Sequence, residues 1–543
     1  MEAINLQWFL LMWAVAWVGV RIGLHRLFQA AGQDSWKAWV PVYSWYVWIQ
    51  IVGRPWWYLM GMLIPCVNIL FSFNLSLDLL RSFGKNSFKD QFLGIVFSFL
   101  YFPIWAWRAE KLTYLGPAGD KQWRKDHVPV NGGSREWADA LLFAAYVAGG
   151  MRALFFDLYQ IPTPSMESNL KVGDYLVVSR VKIGMRIPFT PVALPVYSAK
   201  EIFGIPAYIS SIQLPYMRLP GWYTAKNNDV MVFNWPGDDD RYPIDRKDNY
   251  VKRCVGIPGD TVQMMEGQIY INHKKLPVVG MQQKRYLVMM SEPITQEFLL
   301  KYDLGDFLPA RRAMDLLKAQ PNLIPYNIST YPANASRIQG DPAVKVVMED
   351  IQDDGQHEPI FPDTLATQFL KHRWDVNNWG PVYLPKRGQT ITLTAENWDV
   401  LKTAINKYEG NNIVVQQRGQ NADGSPKVAF VTNGGSGEEL ESYTFKMGYY
   451  WMIGDNRYNS LDSRFWGYVP EDHMLGKPLF TFFGLKKVIG IDELGLPLIQ
   501  NNEWIYESKG IRWNKSIDYR FSIIIICLSF LLLFSIKPLS QRR

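Results

Sequence analysis

Long apolar runs stand near the two ends of this chain, and a polar region of several hundred residues separates them. The first 156 residues hold most of the apolar runs, and a further run covers residues 521–536. A helix needs about 20 mainly apolar residues to cross a bilayer. The overall composition of the 543 residues, 48% hydrophobic and 20% charged, conceals this segregation. The pattern predicts a membrane protein with a large polar middle.

Three N-terminal stretches are candidate membrane spans, at residues 6–20, 56–80 and 92–107. Trp, Tyr and Phe near their ends are typical of anchoring at the membrane interface. After the first stretch, Arg21 and Arg26 would have to extend their side chains toward the bilayer surface. The aromatic stretch 36–52 is interrupted, so we expect it to be interfacial or half-buried, and the number of spans stays open.

The distribution of basic residues predicts the orientation of the chain. Six Lys and Arg residues lie between positions 108 and 135, and cytoplasmic loops carry such an excess. An apolar stretch at 137–156 follows this loop, and Lys537, Arg542 and Arg543 follow the C-terminal stretch. Both stretches therefore place residues 157–520 on the outer face. The first apolar run lacks a basic start and an Ala-x-Ala-like end, so we expect no cleavable signal peptide.

Composition and missing motifs exclude several classes of function. The formal net charge of +7 is spread along the chain without a basic block, which argues against a nucleic-acid partner. Cys66, Cys254 and Cys527 have no CxxC spacing, so neither a disulfide framework nor a structural zinc site is predicted. There is no HExxH, P-loop, GxSxG or dinucleotide fingerprint. We expect neither a metal nor another cofactor.

The exported region is predicted to be mainly β. Residues 174–181, 229–234 and 249–255 are short runs rich in β-branched residues. Residues 261–272 are predicted to form a hairpin, because Glu266-Gly267-Gln268 lies between two apolar runs. Residues 295–301 and 311–319 are candidate helices in a region with weaker patterning.

Three short motifs carry the chemistry that the sequence offers: IPTPSM at 161–166, VKRCVGIPGD at 251–260 and GDNRYNSLDSR at 454–464. Two prolines in the first fix the backbone around Ser165. Strand alternation in the second puts Lys252 and Cys254 on one face and Arg253 on the other. Taken singly, each motif has an ordinary structural explanation: a turn serine, a solvated strand lysine beside a solvated Arg253, and a rigid hydrogen-bonded loop.

Taken together, the motifs resemble those of the bacterial type I signal peptidases, membrane-bound Ser/Lys endopeptidases. They occur in the order typical of that family, within residues 157–182, 228–277 and 449–481. The resemblance implies that Ser165 is the nucleophile and Lys252 its general base. The Thr163 hydroxyl and the backbone N–H of Ser165 would form the oxyanion hole.

The resemblance also implies supporting and substrate-binding residues. Ser460 would hold Lys252 by a hydrogen bond, and Asp462 and Arg464 would pair to support the site. The residues implied to line pockets for small substrate side chains are Tyr159, Ile161, Pro162, Met166, Leu170, Tyr250 and Val251. The sequence departs from the family pattern where Thr163 and Pro164 replace a frequent Ser-Gly, and where Tyr458 replaces a frequent acidic residue.

A lysine base imposes a physical requirement on the fold. A serine hydroxyl needs an adjacent base to become a good nucleophile, and lysine can serve only in its neutral form. Its ordinary pKa of about 10.4 prevents this near neutral pH, whereas burial can lower the pKa by about 3–5 units. We expect Val251, Val255 and nearby Met, Trp and Phe side chains to provide the dry surroundings.

The predicted architecture is a mainly β exported catalytic domain with a signal-peptidase-like β fold, an inserted α+β region, and N- and C-terminal transmembrane helices. The predicted boundaries are a multi-span region at 1–136, a transmembrane helix at 137–156, a catalytic domain at 157–274 and 442–520, an inserted domain at 275–441, and a C-terminal helix at 521–536.

The predicted function is cleavage of signal peptides from exported preproteins after small residues. The predicted location is the bacterial inner membrane, multi-pass, with the catalytic domain on the periplasmic face. Preproteins, the lipid bilayer and the secretion translocon are the expected partners. Two alternatives stay open: a membrane Ser/Lys peptidase that processes one dedicated partner, and a non-enzymatic envelope scaffold. A scaffold would not need both Ser165 and Lys252.

Overall fold

The structure is a computed structural model of the 543-residue chain. It describes residues 6–63, 67–127, 155–167, 169–190, 200–202, 205–208, 210, 213–277, 282–304, 307–310, 322–350, 360–362, 369, 374–420 and 426–483. The chain divides into two units, the first made of Met1–Leu154 with Pro188–Pro215 and the second of Phe155–Ile187 with Tyr216–Arg543. The predicted helix at 311–319 and the predicted spans at 137–156 and 521–536 lie outside the described residues, apart from the last two residues of 137–156.

The described part of the first unit is mainly helical. Its helices are α1 (Leu6–Ala30), α2 (Tyr43–Val52), α3 (Tyr58–Leu63), α4 (Val67–Ser82), α5 (Phe88–Val96), α6 (Ser98–Arg108) and α7 (Lys121–His127), with a 3₁₀ turn at Ser35–Trp39. Helices α1 and α6 approach closely because Gly19 and Gly23, one turn apart on α1, face α6. A Cβ at Gly23 would lie 2.9 Å from the backbone nitrogen of Pro103, so a larger residue would push the helices apart.

The helices only partly follow the predicted spans. The candidate span at residues 92–107 is not one continuous helix, because Phe97 (φ −120°, ψ 35°) leaves the helical conformation and separates α5 from α6. Residues 56–80 contribute to both α3 and α4. Within the part of the chain that the structure describes, no helix combines the length and the apolar character needed to cross a membrane.

The expected position of the Arg21 side chain is also wrong. Arg21 is buried instead of extending to a surface, and its guanidinium donates a hydrogen bond to Ser44 on α2. Arg54 and the buried Asp78 form a similar internal contact, with 2.6 Å between Nε and Oδ2. Both arginines thus have polar partners inside the helical unit, and these partners are more than 20 residues away in the sequence.

Strands dominate the second unit. Numbered along the whole chain, the strands are β1 (Phe156–Gln160), β2 (Tyr175–Ser179), β3 (Glu201–Ile202), β4 (Ile205–Pro206), β5 (Asp229–Asn234), β6 (Asn249–Gly256), β7 (Thr261–Met265), β8 (Gln268–Ile271), β9 (Lys274–Lys275), β10 (Lys284–Met290), β11 (Phe307–Pro309), β12 (Ile324–Thr330), β13 (Val344–Glu349), β14 (Trp379–Tyr383), β15 (Thr390–Thr392), β16 (Val414–Gln420), β17 (Pro426–Val431), β18 (Glu439–Leu440), β19 (Ser442–Thr444), β20 (Tyr449–Ile453), β21 (Val469–Pro470) and β22 (Met474–Phe483). The short pair β3–β4 belongs to the first unit. The mainly β prediction is confirmed.

Helices are few and short in the described part of the second unit. They are α8 (Gln296–Lys301), α9 (Pro332–Gln339), α10 (Ala395–Lys402) and α11 (Ser463–Trp466), with a π-helix at Thr403–Tyr408 and 3₁₀ turns at Pro164–Met166, Ile244–Arg246, Asn433–Gly435 and Glu471–His473. The candidate helix at 295–301 is confirmed as α8, and the Thr295 hydroxyl caps it by accepting a hydrogen bond from the N–H of Phe298.

A seven-stranded antiparallel sheet positions the three motifs, with strand order β1-β2-β22-β5-β6-β20-β21. The three predicted strands at 174–181, 229–234 and 249–255 are confirmed as β2, β5 and β6. On β5 and β6, Met231 pairs with Lys252 and Val232 with Val251. Because side chains alternate, Val251 packs with one apolar cluster, whereas Cys254 packs in another on the opposite face.

Two further sheets include strands from the region predicted as an insertion. The hairpin β7–β8 forms around Glu266 and Gly267, both with positive φ, as predicted. Strand β14 pairs with β7, so this sheet includes strands from both sides of the predicted boundary at 274. A second sheet, β11-β12-β10-β13, is here called the inserted sheet, and α8 and α9 share its apolar core. The predicted domain boundaries stay a prediction.

Candidate active site

Ser165 lies on a short turn directly after the edge strand β1. Pro164 begins a 3₁₀ turn that ends at Met166, and its ring fixes φ at the first position of that turn. Met166 and Ile161 pack into the apolar cluster beside the sheet, which anchors the turn on both sides of the serine. Ser165 itself is 7% exposed. The local sequence therefore holds the Ser165 side chain in a defined position near the protein surface.

Lys252 lies near the middle of β6 and is 3% exposed. Its Nζ is 5.6 Å from the centre of the Tyr250 ring. Burial lowers the pKa of Lys252 to about 8, against the opposing effects of the carboxylates of Asp462 and Asp455. Within the described residues, no carboxylate lies within ion-pair distance of this ammonium.

The source of the dry surroundings differs from the sequence prediction. Val251 and Val255 were expected to shield Lys252, but strand alternation turns both to the face opposite Lys252. Met231 is the direct partner of Lys252 on β5, and Tyr250 is its neighbour two residues away on the same face. The expectation about the two valines is therefore wrong, and the expectation of a methionine neighbour is confirmed by Met231. The aromatic neighbour is Tyr250, where Trp or Phe was expected.

The loop at residues 454–464, here called the catalytic loop, holds the turn that carries Ser165. The backbone N–H of Asn456 donates to the carbonyl of Ser165 at 3.0 Å, and its side-chain amide donates to the carbonyl of Pro164 at 3.3 Å. Gly454 lies so close that an added Cβ would be 2.6 Å from the Ser165 carbonyl oxygen. Only glycine fits this position without moving the turn.

Asp462 is the centre of a buried hydrogen-bond network in the same loop. Arg464 binds it through both ends of the guanidinium, with Nε–Oδ1 2.8 Å and Nη2–Oδ2 2.9 Å. The Ser460 hydroxyl donates to Asp462 Oδ2 at 2.8 Å, and the N–H of Gly454 donates to the same oxygen at 3.0 Å. Although burial opposes it, the charge of Arg464 lowers the pKa of Asp462. The structure thus pairs Asp462 with Arg464 and directs the Ser460 hydroxyl to Asp462; the Ser460–Lys252 bond stays a prediction.

A second buried ion pair was not anticipated. Arg253, expected to be solvated, is 0% exposed and binds Asp455 with Nε–Oδ1 2.6 Å and Nη2–Oδ2 2.7 Å. Asn169 donates to the same carboxylate at 2.5 Å. The two acidic residues of the third motif thus each have an arginine partner. Strand alternation was the only local signal for Arg253, because its partner is 202 residues away.

Thr163 and Ser165 are close but not strongly bonded. The Thr163 hydroxyl is 3.4 Å from Ser165 Oγ, and Thr163 is exposed in an extended conformation. Within the described residues, no hydrogen bond joins Ser165 Oγ to Lys252 Nζ. Catalytic hydrogen bonds are often long without substrate and shorten in the Michaelis complex.

The residues implied to bind substrate differ in accessibility. Ile161, Met166 and Leu170 are buried in the apolar cluster, so they can shape a pocket mainly from behind. Pro162 is exposed, and the partly buried residues are Tyr159, Tyr250 and Val251. Among the described residues, no group of three His, Cys, Asp or Glu side chains is arranged to hold a metal ion.

Known proteins are similar in sequence to the regions of this chain that hold the three motifs. The family model described as "Signal peptidase, peptidase S26" matches residues 134–306 and 388–483, about half of the chain, and includes all three motifs. The signal peptidase I of Buchnera aphidicola subsp. Schizaphis graminum is 24% identical over 343 residues, covering 62% of this chain and 71% of that protein. The chain belongs to the type I signal peptidase family.

Further relatives of this signal peptidase support the same assignment. The signal peptidase I of Buchnera aphidicola subsp. Acyrthosiphon pisum is 22% identical over 367 residues, covering 67% of this chain and 75% of the relative. That of Pseudomonas aeruginosa is 31% identical over 139 residues, covering 25% and 37%. The signal peptidase is thus a serine endopeptidase of the signal peptidase I type. Its residues 36–117 match a separate family of unknown function (DUF5684).

Proposed function

We propose that Ser165 and Lys252 form the catalytic dyad of this peptidase. The observation that carries the proposal is Lys252, a buried lysine whose pKa is lowered to about 8 and which has no ion-pair partner among the described residues. At pH 7 roughly a tenth of such lysines are neutral, compared with fewer than about one in a thousand at an ordinary pKa. Two further links support it: the catalytic loop binds the Ser165 turn through Asn456, and Asp462 of the same loop acts electrostatically on Lys252.

The proposed mechanism uses Ser165 as nucleophile and Lys252 as general base. Neutral Lys252 accepts the hydroxyl proton of Ser165 as Oγ attacks the carbonyl carbon of the scissile bond. The resulting oxyanion accepts hydrogen bonds from the Ser165 backbone N–H and the Thr163 hydroxyl. The Lys252 ammonium then gives its proton to the leaving amine, and the C–N bond breaks to leave an acyl-enzyme. Water, deprotonated by Lys252, releases the acyl group and regenerates Ser165.

We further propose that the substrates are exported preproteins, cleaved after small residues. Pro162 and the half-buried Tyr250 and Val251 offer apolar surface beside the dyad, with Ile161, Met166 and Leu170 behind them. Such surroundings fit short, uncharged side chains better than long or charged ones.

The proposed location is a bacterial inner membrane, with residues 157–520 on the outer face and the lipid bilayer and translocon as partners. Large apolar side chains exposed in the described N-terminal residues support contact with lipid: Trp56 lies between α2 and α3, and Leu100, Ile104 and Trp107 lie on α6. Protease added to spheroplasts should degrade the catalytic domain and spare the basic loop at 108–135. Protection of the catalytic domain until lysis would contradict this orientation.

A cleavage assay tests the dyad. Purified full-length protein is incubated with a preprotein, and Ser165→Ala, Lys252→Ala and Lys252→Arg should each abolish cleavage, since a guanidinium cannot act as a base near neutral pH. Lys274→Ala, at an exposed lysine on β9, is the matched control and should keep wild-type activity. Substantial cleavage by any of the three dyad variants would contradict the assignment.

A further inference from the structure

The start of β10, in the inserted sheet, contacts the catalytic loop. The guanidinium of Arg285 lies 4.3 Å from the centre of the Tyr458 ring. Arg285 is buried and also pairs with Asp350, which directly follows β13, with 2.7 Å between Nε and Oδ2. A guanidinium stacked on a ring and neutralised by a carboxylate is a rigid, oriented contact.

Neighbouring contacts fix the same part of the loop. The N–H of Gln283 donates to the carbonyl of Asp455 at 2.8 Å, and Arg457 donates to the side-chain oxygen of Gln282 at 3.1 Å. The Tyr458 hydroxyl donates to Asn377 at 3.0 Å. The segment 282–285 therefore runs along residues 455–458 and contacts both backbone and side chains.

The catalytic loop transmits these contacts to the nucleophile. Asn456, two residues before Tyr458, holds the carbonyls of Pro164 and Ser165, and Ser460, two residues after it, binds Asp462. A shift of the Tyr458 ring would therefore move both sides of the site. Because Asp350 already neutralises Arg285, the loop can present an aromatic ring to this arginine instead of a carboxylate.

We propose that Arg285 of the inserted sheet is a positioning residue for catalysis, acting through Tyr458 on the catalytic loop. This inference rests on the proposed Ser165–Lys252 dyad. It gives the inserted sheet a role in the reaction although none of its described residues belongs to the dyad. Because alignment of the nucleophile and base affects the chemical step more than binding, loss of the contact should lower kcat and leave KM nearly unchanged.

The test is a double-mutant cycle measured by preprotein cleavage with full-length enzyme. Arg285→Met and Tyr458→Leu should each lower kcat about tenfold, and the double variant should lose little more than either single variant. Arg285→Lys keeps the charge facing Asp350 and should retain intermediate activity. Arg337→Met is the matched control, because Arg337 on α9 stacks on Tyr302 at 5.8 Å in the same subdomain and is outside the loop contact. Each kcat is expressed per folded enzyme, with the folded fraction taken from near-UV circular dichroism.

The results of this cycle separate the role of Arg285 from that of the dyad. Wild-type kcat in Arg285→Met, additive losses in the double variant, or an equal loss in Arg337→Met would overturn the positioning role. Those results leave the dyad intact as long as the wild type cleaves and Ser165→Ala does not. Cleavage by Ser165→Ala would overturn the dyad itself, and the inference would fall with it.

Discussion

Replacing Lys252 with methionine should make the protein more stable at neutral pH, although it removes the proposed base. Burial lowers the pKa of Lys252 from 10.5 to about 8. One pKa unit corresponds to about 1.4 kcal/mol, so a protonated Lys252 costs the folded state up to about 3 kcal/mol at pH 7. Methionine has a similar volume and no charge, so Lys252→Met should recover much of that free energy.

The sign of the pH dependence follows from the direction of the pKa change. The folded state binds the Lys252 proton more weakly than the unfolded chain does, so the cost is complete below about pH 8. It decreases as pH rises toward 10.5 and is absent above that value. The variant's advantage in Tm should therefore be roughly 3–6 °C at pH 7 and should disappear near pH 10.5.

Lys477 provides the matched control for this experiment. It is equally buried, but its Nζ is 2.6 Å from Asp229 Oδ1 and 2.9 Å from the Tyr223 hydroxyl. Lys477→Met removes the cation from a buried pair, which costs about 3–5 kcal/mol when the partner charge stays buried. Scanning calorimetry of both variants at pH 7 and 10.5 should show opposite changes in Tm at pH 7. A Tm at or below wild type for Lys252→Met at pH 7, or a gain that persists at pH 10.5, would refute the reasoning.

Three further predictions concern turnover. As pH rises, kcat/KM should increase with an apparent pKa of about 8, because Lys252 becomes neutral. Glu167→Gln removes a carboxyl whose pKa burial raises to about 7, and this variant should keep the same inflection. An inflection near pH 10 would contradict the role of Lys252 as the base. Gly454→Ala should lower cleavage at least about 100-fold, since its methyl would meet the Ser165 carbonyl; full activity would mean that the turn can move freely. Thr163→Val should lower kcat by about 10²–10³ with little change in KM, whereas Thr163→Ser should retain most activity; wild-type turnover in the valine variant would exclude this hydroxyl as a donor.

Features encoded by neighbouring residues could be predicted from the sequence. The β-branched runs at 229–234 and 249–255 became β5 and β6, and alternation correctly separated Lys252 from Arg253. Glu266-Gly267-Gln268 between two apolar runs predicted the hairpin, and in the structure both turn residues, Glu266 and Gly267, have positive φ. These signals are local, so tertiary packing had little opportunity to override them.

Features that depend on distant partners could not be predicted in this way. Arg253 looked like a solvated strand residue because Asp455 is 202 residues away. The same holds for Arg21, whose partner Ser44 lies on another helix. Phe97 shows a different limit of prediction from sequence. One helix ends and the next begins at this residue within a single apolar run, and hydrophobicity alone does not indicate that break.

The two buried arginines explain how the proposed lysine base could work beside a loop that carries two carboxylates. The carboxylates of Asp455 and Asp462 both favour the charged form of Lys252 and, left alone, would hold it as an ammonium. Arg253 and Arg464 each bind one of them through two hydrogen bonds. Each arginine thus partly offsets the negative charge of its carboxylate, and burial remains the largest influence on the pKa of Lys252. The loop can therefore supply the hydrogen bonds that hold Ser165 and still leave Lys252 able to lose its proton.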